Sequence, residues 1–237
     1  MPVGDDTGDL DRRLAEVELL RRRILNVIPH ALRTPITTFR GLAEAMTAAT
    51  DEEVRNEIGP ALRRLAAQVE HLLDDLLIAS GYTTALPTGA AQPTAVGSTL
   101  QTVWSEVGGA GTLAVDGGDD VAALAPPGSL EKMLLHVLDN AAKYGDGAPK
   151  VSVRQDDGRV TIAIESTGSV PPDLGLLVEP FFRADAAVMK SSGLGVGLTV
   201  ADALASQAGG SLSIAETPAG GGLVTRLELP SAPVAGR

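Results

Sequence analysis

Three groups of residues in this chain could do chemistry on phosphate, and they follow one another in a definite order. His30 stands in the run His30-Ala31-Leu32-Arg33-Thr34-Pro35 on a helical stretch. A neutral imidazole keeps a free lone pair near pH 7 and can attack phosphorus, so His30 is a candidate phosphoryl acceptor. The other two histidines, His71 and His136, lack such a context. Further on, Asn140-Ala141-Ala142-Lys143-Tyr144 offers an amide oxygen able to ligate Mg²⁺, a cation for phosphate oxygens and a ring that could cover a base. Gly193-Leu194-Gly195-Val196-Gly197-Leu198 then precedes a helical pattern. Backbone free of side chains can turn its N–H groups toward anionic oxygens there, and the helix N-terminus adds positive potential. Each pattern alone is common in proteins that never handle phosphate; the information lies in their combination and order.

Two kinds of element must position these groups. From about Leu10 to Met46 apolar residues recur at three and four, including Leu14, Val17, Ile24, Leu32, Ile36, Phe39 and Leu42, which predicts a helix of about ten turns. A break follows at Thr47 to Asp51, and Asp51-Glu52-Glu53 suits a helix start, where negative charge meets the positive end of the dipole. Val54, Ile58, Leu62, Leu65, Val69, Leu72, Leu73, Leu76 and Leu77 continue as a second stripe. A two-helix hairpin cannot bury both apolar faces by itself, so a second copy and a two-fold four-helix bundle are expected. Pro29 removes a backbone donor inside the first helix and predicts a kink beside His30.

Residues 81–97, rich in Thr, Pro, Ala and Gly, read as a linker; more narrowly, we set the hairpin domain at 1–82, the linker at 83–97 and the second domain at 98–232. The second domain reads as a helix over Thr99–Val107, short strands over Thr112–Val115 and Val121–Ala125, and a helix over Ser129–Tyr144 capped by Ser129. Lys150–Gln155 and Arg159–Ile164 flank Asp156-Asp157-Gly158, a hairpin signal. A helix over Val196–Ala208 ends at Gly209-Gly210, and Ser211–Ala215 pairs with Leu223–Leu229 across Gly220-Gly221-Gly222. The fold class expected is therefore α plus α/β: a helical hairpin followed by a sandwich of helices on an antiparallel or mixed sheet.

Composition narrows the functions available. The chain has 237 residues, 44% of them apolar, enough for one large domain or two modest ones. A formal charge of -11 argues against nucleic acid as a partner. Cysteine is absent, which excludes disulfides and thiolate metal sites. No apolar run reaches the roughly 18 residues of a membrane span, and residues 1–11 are too polar for a signal peptide. A soluble chain is expected, for which the cytoplasm is permitted, either lacking a sensor or separated from one. Ten of the fifteen arginines lie between Arg12 and Arg64, giving the hairpin a basic polar side that is either simply solvated or a docking face for an acidic domain.

With these motifs in place, residues from about Leu10 to Leu229 resemble the transmitter core of sensor histidine kinases of two-component systems. That core is a dimerisation and histidine-phosphotransfer hairpin followed by an ATP-binding domain of the family shared with gyrase, the Hsp90 chaperones and MutL. His30 to Pro35 resembles the H box, Asn140 to Tyr144 the N box, Glu179-Pro180-Phe181-Phe182-Arg183 the F box and Gly193 to Leu198 the second glycine box. The resemblance implies that His30 accepts the γ-phosphoryl group of ATP, Asn140 binds Mg²⁺ and Lys143 contacts phosphates. It implies that Tyr144, Ser166, Gly168, Phe182, Gly193, Gly195, Gly197 and Leu198 contribute to nucleotide binding, with a mobile lid from Phe181 to Gly193. It further implies that the phosphoryl group passes to an aspartate in the receiver domain of a response regulator docked on a homodimeric bundle, and that Thr34 positions the water that hydrolyses the regulator's phospho-aspartate.

Four departures from the family pattern matter. Ala31 replaces the acid that usually follows the histidine, orienting the imidazole and taking its proton. The first glycine box is reduced to Ile164-Glu165-Ser166-Thr167-Gly168, with Ser166 where the family has an adenine-binding Asp; Glu165 could substitute only through a one-residue slip that flips its side chain. His136 takes the place of the N box's first asparagine, and Pro29 adds a second helix breaker beside Pro35. Ala31 and Ser166 leave open a catalytically weak transmitter acting as a response-regulator phosphatase or phosphotransfer scaffold. A serine kinase or other ATPase of the same superfamily would need no histidine-bearing hairpin. The input signal, an unknown sensor's, and the cognate regulator are not legible.

Overall fold

The computed structural model describes Glu18, Leu25, Ile28, Pro29 and residues 31–108, 112–184 and 194–232. His30, Gly193, most of the expected first helix ahead of Ala31 and most of the expected lid lie outside the described residues. Helix α1 is described over 31–46 and gives way to a turn in which Thr47 and Ala48 donate to Glu44 and Ala45. The second helix, α2, covers 51–79 and opens with a capping box: Glu53 N–H donates to Thr50 Oγ1 at 3.3 Å, and Thr50 N–H donates to a Glu53 carboxylate oxygen at 2.8 Å. Two orphan donors of the helix start are thereby satisfied.

Inside α2, Val54–Ile58 is a π turn ahead of the α-helical Gly59–Ala79. Pro60 has no N–H to give to the preceding turn and its ring crowds that turn's carbonyls, so the backbone widens and Gly59 N–H bonds back to the Val54 carbonyl. The helix ends in a Schellman motif, with Gly81 at φ 84° and bonds from Gly81 to Ile78 and from Tyr82 to Leu77.

The second module holds two sheets. Strand β1 (Gln92–Ala95) pairs antiparallel with β3 (Ala122–Ala125). Strands β2 (Val115–Asp116), β4 (Lys150–Asp156), β5 (Arg159–Thr167), β6 (Ser211–Glu216) and β7 (Gly222–Pro230) form a mixed sheet in the order β2-β4-β5-β7-β6. Among the described residues only the β2–β4 pairing is parallel. Helices α3 (Val96–Glu106), α4 (Ser129–Tyr144) and α5 (Gly197–Gln207) pack as a layer with α4 in the middle, α4 lying against β5 and α5 against β6 and β7. Leu100, Met133, Leu134, Ile162, Leu204 and Leu227 are fully buried between the layers. This is the expected α/β sandwich.

Two local expectations are corrected. The stretch read as linker is partly built into the sandwich: residues 92–97 form β1 and the start of α3, because pairing with β3 satisfies a backbone that shows no hydrophobic alternation of its own. The cap of α4 is Gly128, not Ser129. Gly128 takes φ 77°, open to glycine at little cost, and no side chain caps the helix; Ser129 is already helical, with its Oγ buried and unbonded.

The hairpin's C-terminal end packs on the sandwich. Leu76, Ile78 and Ala79 of α2 are buried with the sandwich core, Leu72 packs beside them, and α2 runs against α5. Across this seam Asp75 forms an ion pair with Lys132 of α4 at 2.9 Å and approaches His136 Nε2 at 3.4 Å. Burial works to raise the Asp75 carboxyl, yet the His136 and Lys132 side chains facing it bring it below its usual value. Among the described residues no helix is long and apolar enough to cross a membrane.

Candidate functional site

Helix α4 carries most of the site. Its buried face is Leu130, Met133, Leu134, Val137, Leu138 and Ala141. Lys132, His136, Asn140 and Tyr144 follow one another at intervals of four, so they form a polar stripe along one side of the helix. The stripe starts at the hairpin seam and ends at the sheet. Lys143 lies next to it, 43% exposed and bridged to Asp139 at 2.6 Å. A pair this open to water is worth little, so a phosphate could take the lysine from Asp139 at small cost.

At the C-terminal end of α4 the chain turns through Gly145 onto the end of β5. Asp146 N–H donates to the Thr167 carbonyl at 2.8 Å and Thr167 Oγ1 donates to the Asp146 carbonyl at 3.1 Å. Gly168 has φ 145°, and a Cβ on it would lie 2.7 Å from the Tyr144 carbonyl oxygen. Its N–H donates to Gly221 in the β6–β7 turn at 3.0 Å. The structure thus brings Tyr144, Ser166 and Gly168 into one corner. Within β5, Ile164 is buried and Glu165 exposed, while Ser166 lies beside Gly145 on the face that α4 covers. No register slip brings Glu165 inward: it pairs opposite Lys150 and Val224 in an unbroken ladder.

Helix α5 supplies the other wall. It has 11 residues, begins at Gly197 after Val196, and has no side-chain cap. Its first N–H groups therefore lack a side-chain acceptor, which is what an anion site at a helix start requires. Gly195 takes φ 71°, and a Cβ there would run into the Phe182 carbonyl oxygen. The F-box and glycine-box segments are therefore in contact, and Thr199 Oγ1 donates to the Val178 carbonyl at 2.8 Å to hold the same junction. Phe181, buried in the core at φ 60°, sets the turn that presents Phe182. Gly197 lies against His136, whose Nδ1 would be 3.1 Å from a Cβ. Leu198 is buried with the sandwich core, so it faces inward and only its backbone belongs to the glycine run.

These residues fit a nucleotide with its metal: an uncapped helix start behind obligate glycines, an amide at Asn140 beside a displaceable cation at Lys143, and a corner at Ser166 and Gly168. On the hairpin, Thr34 is exposed on α1 one turn after the position of His30, and Pro35 beneath it is buried. Ala31, half-buried, offers no acceptor to that histidine.

Comparison with known proteins matches each module separately. Residues 20–80 match the His Kinase A (phospho-acceptor) domain. Residues 126–233 match the histidine kinase-, DNA gyrase B- and HSP90-like ATPase family. Among curated proteins, the sensor protein KdpD of Mycobacterium tuberculosis is 30% identical over 245 residues, covering 96% of this chain. The chain belongs to the sensor histidine kinases. The sensor protein CutS of Streptomyces coelicolor is 28% identical over 240 residues, again covering 96% of the chain. This histidine kinase core spans 28% of the length of KdpD and 57% of CutS. In fold it is similar to the Acinetobacter baumannii histidine kinase AdeS, with a TM-score of 0.54 and 18% identity over 86% of this chain and 98% of AdeS. It is also similar to full-length ShkA, solved in complex with AMPPNP, with a TM-score of 0.60 and 24% identity over 92% of this chain and 47% of ShkA. The ATP-binding domain of this kinase core is thus the sandwich, and its phospho-acceptor domain the hairpin.

Motif reading did not find Asp75 or Lys132. Neither belongs to a family box, and they are far apart in the chain, so no spacing announces that they meet.

Proposed function

We propose that this kinase core transfers the γ-phosphoryl group of ATP to His30 and then to an aspartate in the receiver domain of a response regulator, acting as a homodimer on the cytoplasmic side, where ATP is found. The observation that carries the reading is the convergence, beside a phospho-acceptor hairpin, of the Asn140–Tyr144 end of α4 with the uncapped, glycine-led start of α5. Phosphoryl transfer is mostly positioning and charge neutralisation, which such a cradle supplies.

In this reading Asn140 holds Mg²⁺, which when bound neutralises phosphate charge, and Lys143 exchanges Asp139 for phosphate. The helix start of α5 and the backbone of Gly193, Gly195, Gly197 and Leu198 take the anionic oxygens, while Tyr144, Ser166, Gly168 and Phe182 bound the rest of the pocket. A ring nitrogen of His30 forms the new P–N bond as the bond to the ADP oxygen breaks, and the other ring nitrogen gives up its proton to water, since Ala31 can take none. Thr34 is placed to orient the water that removes the phosphoryl group from the regulator. Large apolar side chains left exposed on the hairpin, among them Ile36 and Phe39 at 56% and 57%, support a second copy as the cover for this face.

The test is incubation of the chain with radiolabelled ATP and Mg²⁺ alongside His30→Ala. Acid-labile, base-stable label on the parent and none on the variant is the expected result. A folded parent that takes no label overturns the kinase reading in favour of a regulator phosphatase or scaffold.

A further inference from the structure

The polar stripe of α4 does not begin in the nucleotide site. It begins at Asp75, a hairpin carboxylate only 15% exposed that faces two basic side chains of the ATP-binding domain. Lys132 and His136, themselves 20% and 13% exposed, face no other carboxylate in an ion pair among the described residues. The opposite side of the His136 ring rests against Gly197, the residue that opens α5. One imidazole therefore approaches the hairpin carboxylate with Nε2 and lies with its Nδ1 edge alongside the glycine that opens α5.

We infer that Asp75 is a positioning residue of the hairpin that couples docking of the ATP-binding domain to nucleotide occupancy, acting through His136 on the start of α5. This rests on the reading of that helix start as the phosphate cradle. With Asp75 in place, His136 is pinned between two modules and Gly197 is held with it. When the domain leaves the hairpin, the imidazole loses its anchor and the α5 start loses its lateral support. By linkage, a contact that stabilises the nucleotide-competent cradle when docked must also stabilise docking when nucleotide is bound. His136 stands where the family has an asparagine, whose shorter side chain would carry no group as far toward Asp75 as Nε2 reaches. The coupling is thus a property of this chain's own pairing of His136 with Asp75.

The experiment is calorimetric titration of the full chain with Mg-ADP, in the parent, in Asp75→Asn, and in the exchange variant Asp75→Lys with Lys132→Asp. Asp74→Asn, at the exposed neighbouring carboxylate, is the control. The expected result is a loss of affinity of about fivefold or more in Asp75→Asn, the lower range for coupling between sites. No change is expected in Asp74→Asn. The exchange variant should regain part of the loss, because an acid at 132 lies one turn before His136 and still faces it while pairing with the new lysine. Each titration is run well below the variant's own melting temperature, so that affinity is read apart from stability. A parent that binds no nucleotide overturns the reading of the cradle and the coupling with it. A parent that binds, with Asp75→Asn binding equally well, overturns the coupling alone; so does a folded exchange variant no better than Asp75→Asn.

Discussion

Two residues set the expected strength of this kinase. Ala31 leaves the His30 imidazole without the adjacent acid that would orient it and accept its proton, and Ala31 is half-buried in a helix that could carry a longer side chain outward. Ala31→Glu should raise the initial rate of phosphohistidine formation by on the order of a hundredfold, the lower end for a positioned general base. Labelling at fixed ATP checks this, and an unchanged rate would show that proton removal does not limit the reaction. Ser166 lies on the α4-covered face of β5, beside Gly145, so a carboxylate there would enter the corner rather than solvent. Ser166→Asp should tighten ADP by about 1 kcal/mol, roughly fivefold, as a charged acceptor replaces a neutral one. Titration of ADP against AMP and GDP would show whether the gain follows the base. Residue-level reading of the sequence reaches furthest where the positions are local, and the binding roles of those positions belong to the proposal. The N-box and glycine-box residues were legible because their types are needed at adjacent positions of one helix or one turn. His136 was legible only as a departure; that it is held by Asp75 was not, because nothing in either neighbourhood encodes a contact made across two modules.

Elements were legible in proportion to their local signals. The start of α2 followed from three acids after a turn and proved to be a full capping box. The β4–β5 turn followed from Asp157-Gly158, and both residues take positive φ, 45° and 74°, as a tight hairpin with right-handed twist requires. The π turn was not legible, since Val54, Ile58 and Leu62 keep a spacing of four that an ordinary helix also shows; only the Gly59-Pro60 pair hints at it. Strand β1 escaped because a short strand written in Gln, Pro, Thr and Ala exists through its partner rather than its own pattern. The junction between the F box and α5 gives the sharpest element-scale test. Gly195→Ala should cost about 1–3 kcal/mol in strained backbone alone and abolish measurable ADP binding, because its Cβ pushes the glycine run off the Phe182 carbonyl. Thermal unfolding with and without ADP checks both parts. A variant still stabilised by ADP would mean that the glycine run does not touch phosphate.

For the whole molecule, the exposed apolar face of the hairpin makes the most direct prediction. Phe39→Asp together with Leu73→Asp should convert the proposed dimer to monomers in sedimentation velocity, while leaving ADP titration of the sandwich unchanged. Retained dimers would place the self-association surface elsewhere. Between Ala79, where α2 ends, and Gln92, where β1 begins, the chain is also a leash. Stretched out, residues 80–91 reach at most about 40 Å, at roughly 3.3–3.6 Å each, much the same as the length of α2 at about 1.5 Å per residue. In the docked state the leash is gathered in, with a short helical turn at Thr83–Ala85 and Gln207 holding the Pro87 carbonyl at 2.9 Å. The ATP-binding domain thus carries enough slack to visit any level of its hairpin without unzipping β1. Deleting four residues of that slack should slow labelling of His30 while ADP still binds, which single-turnover labelling beside an ADP titration would reveal.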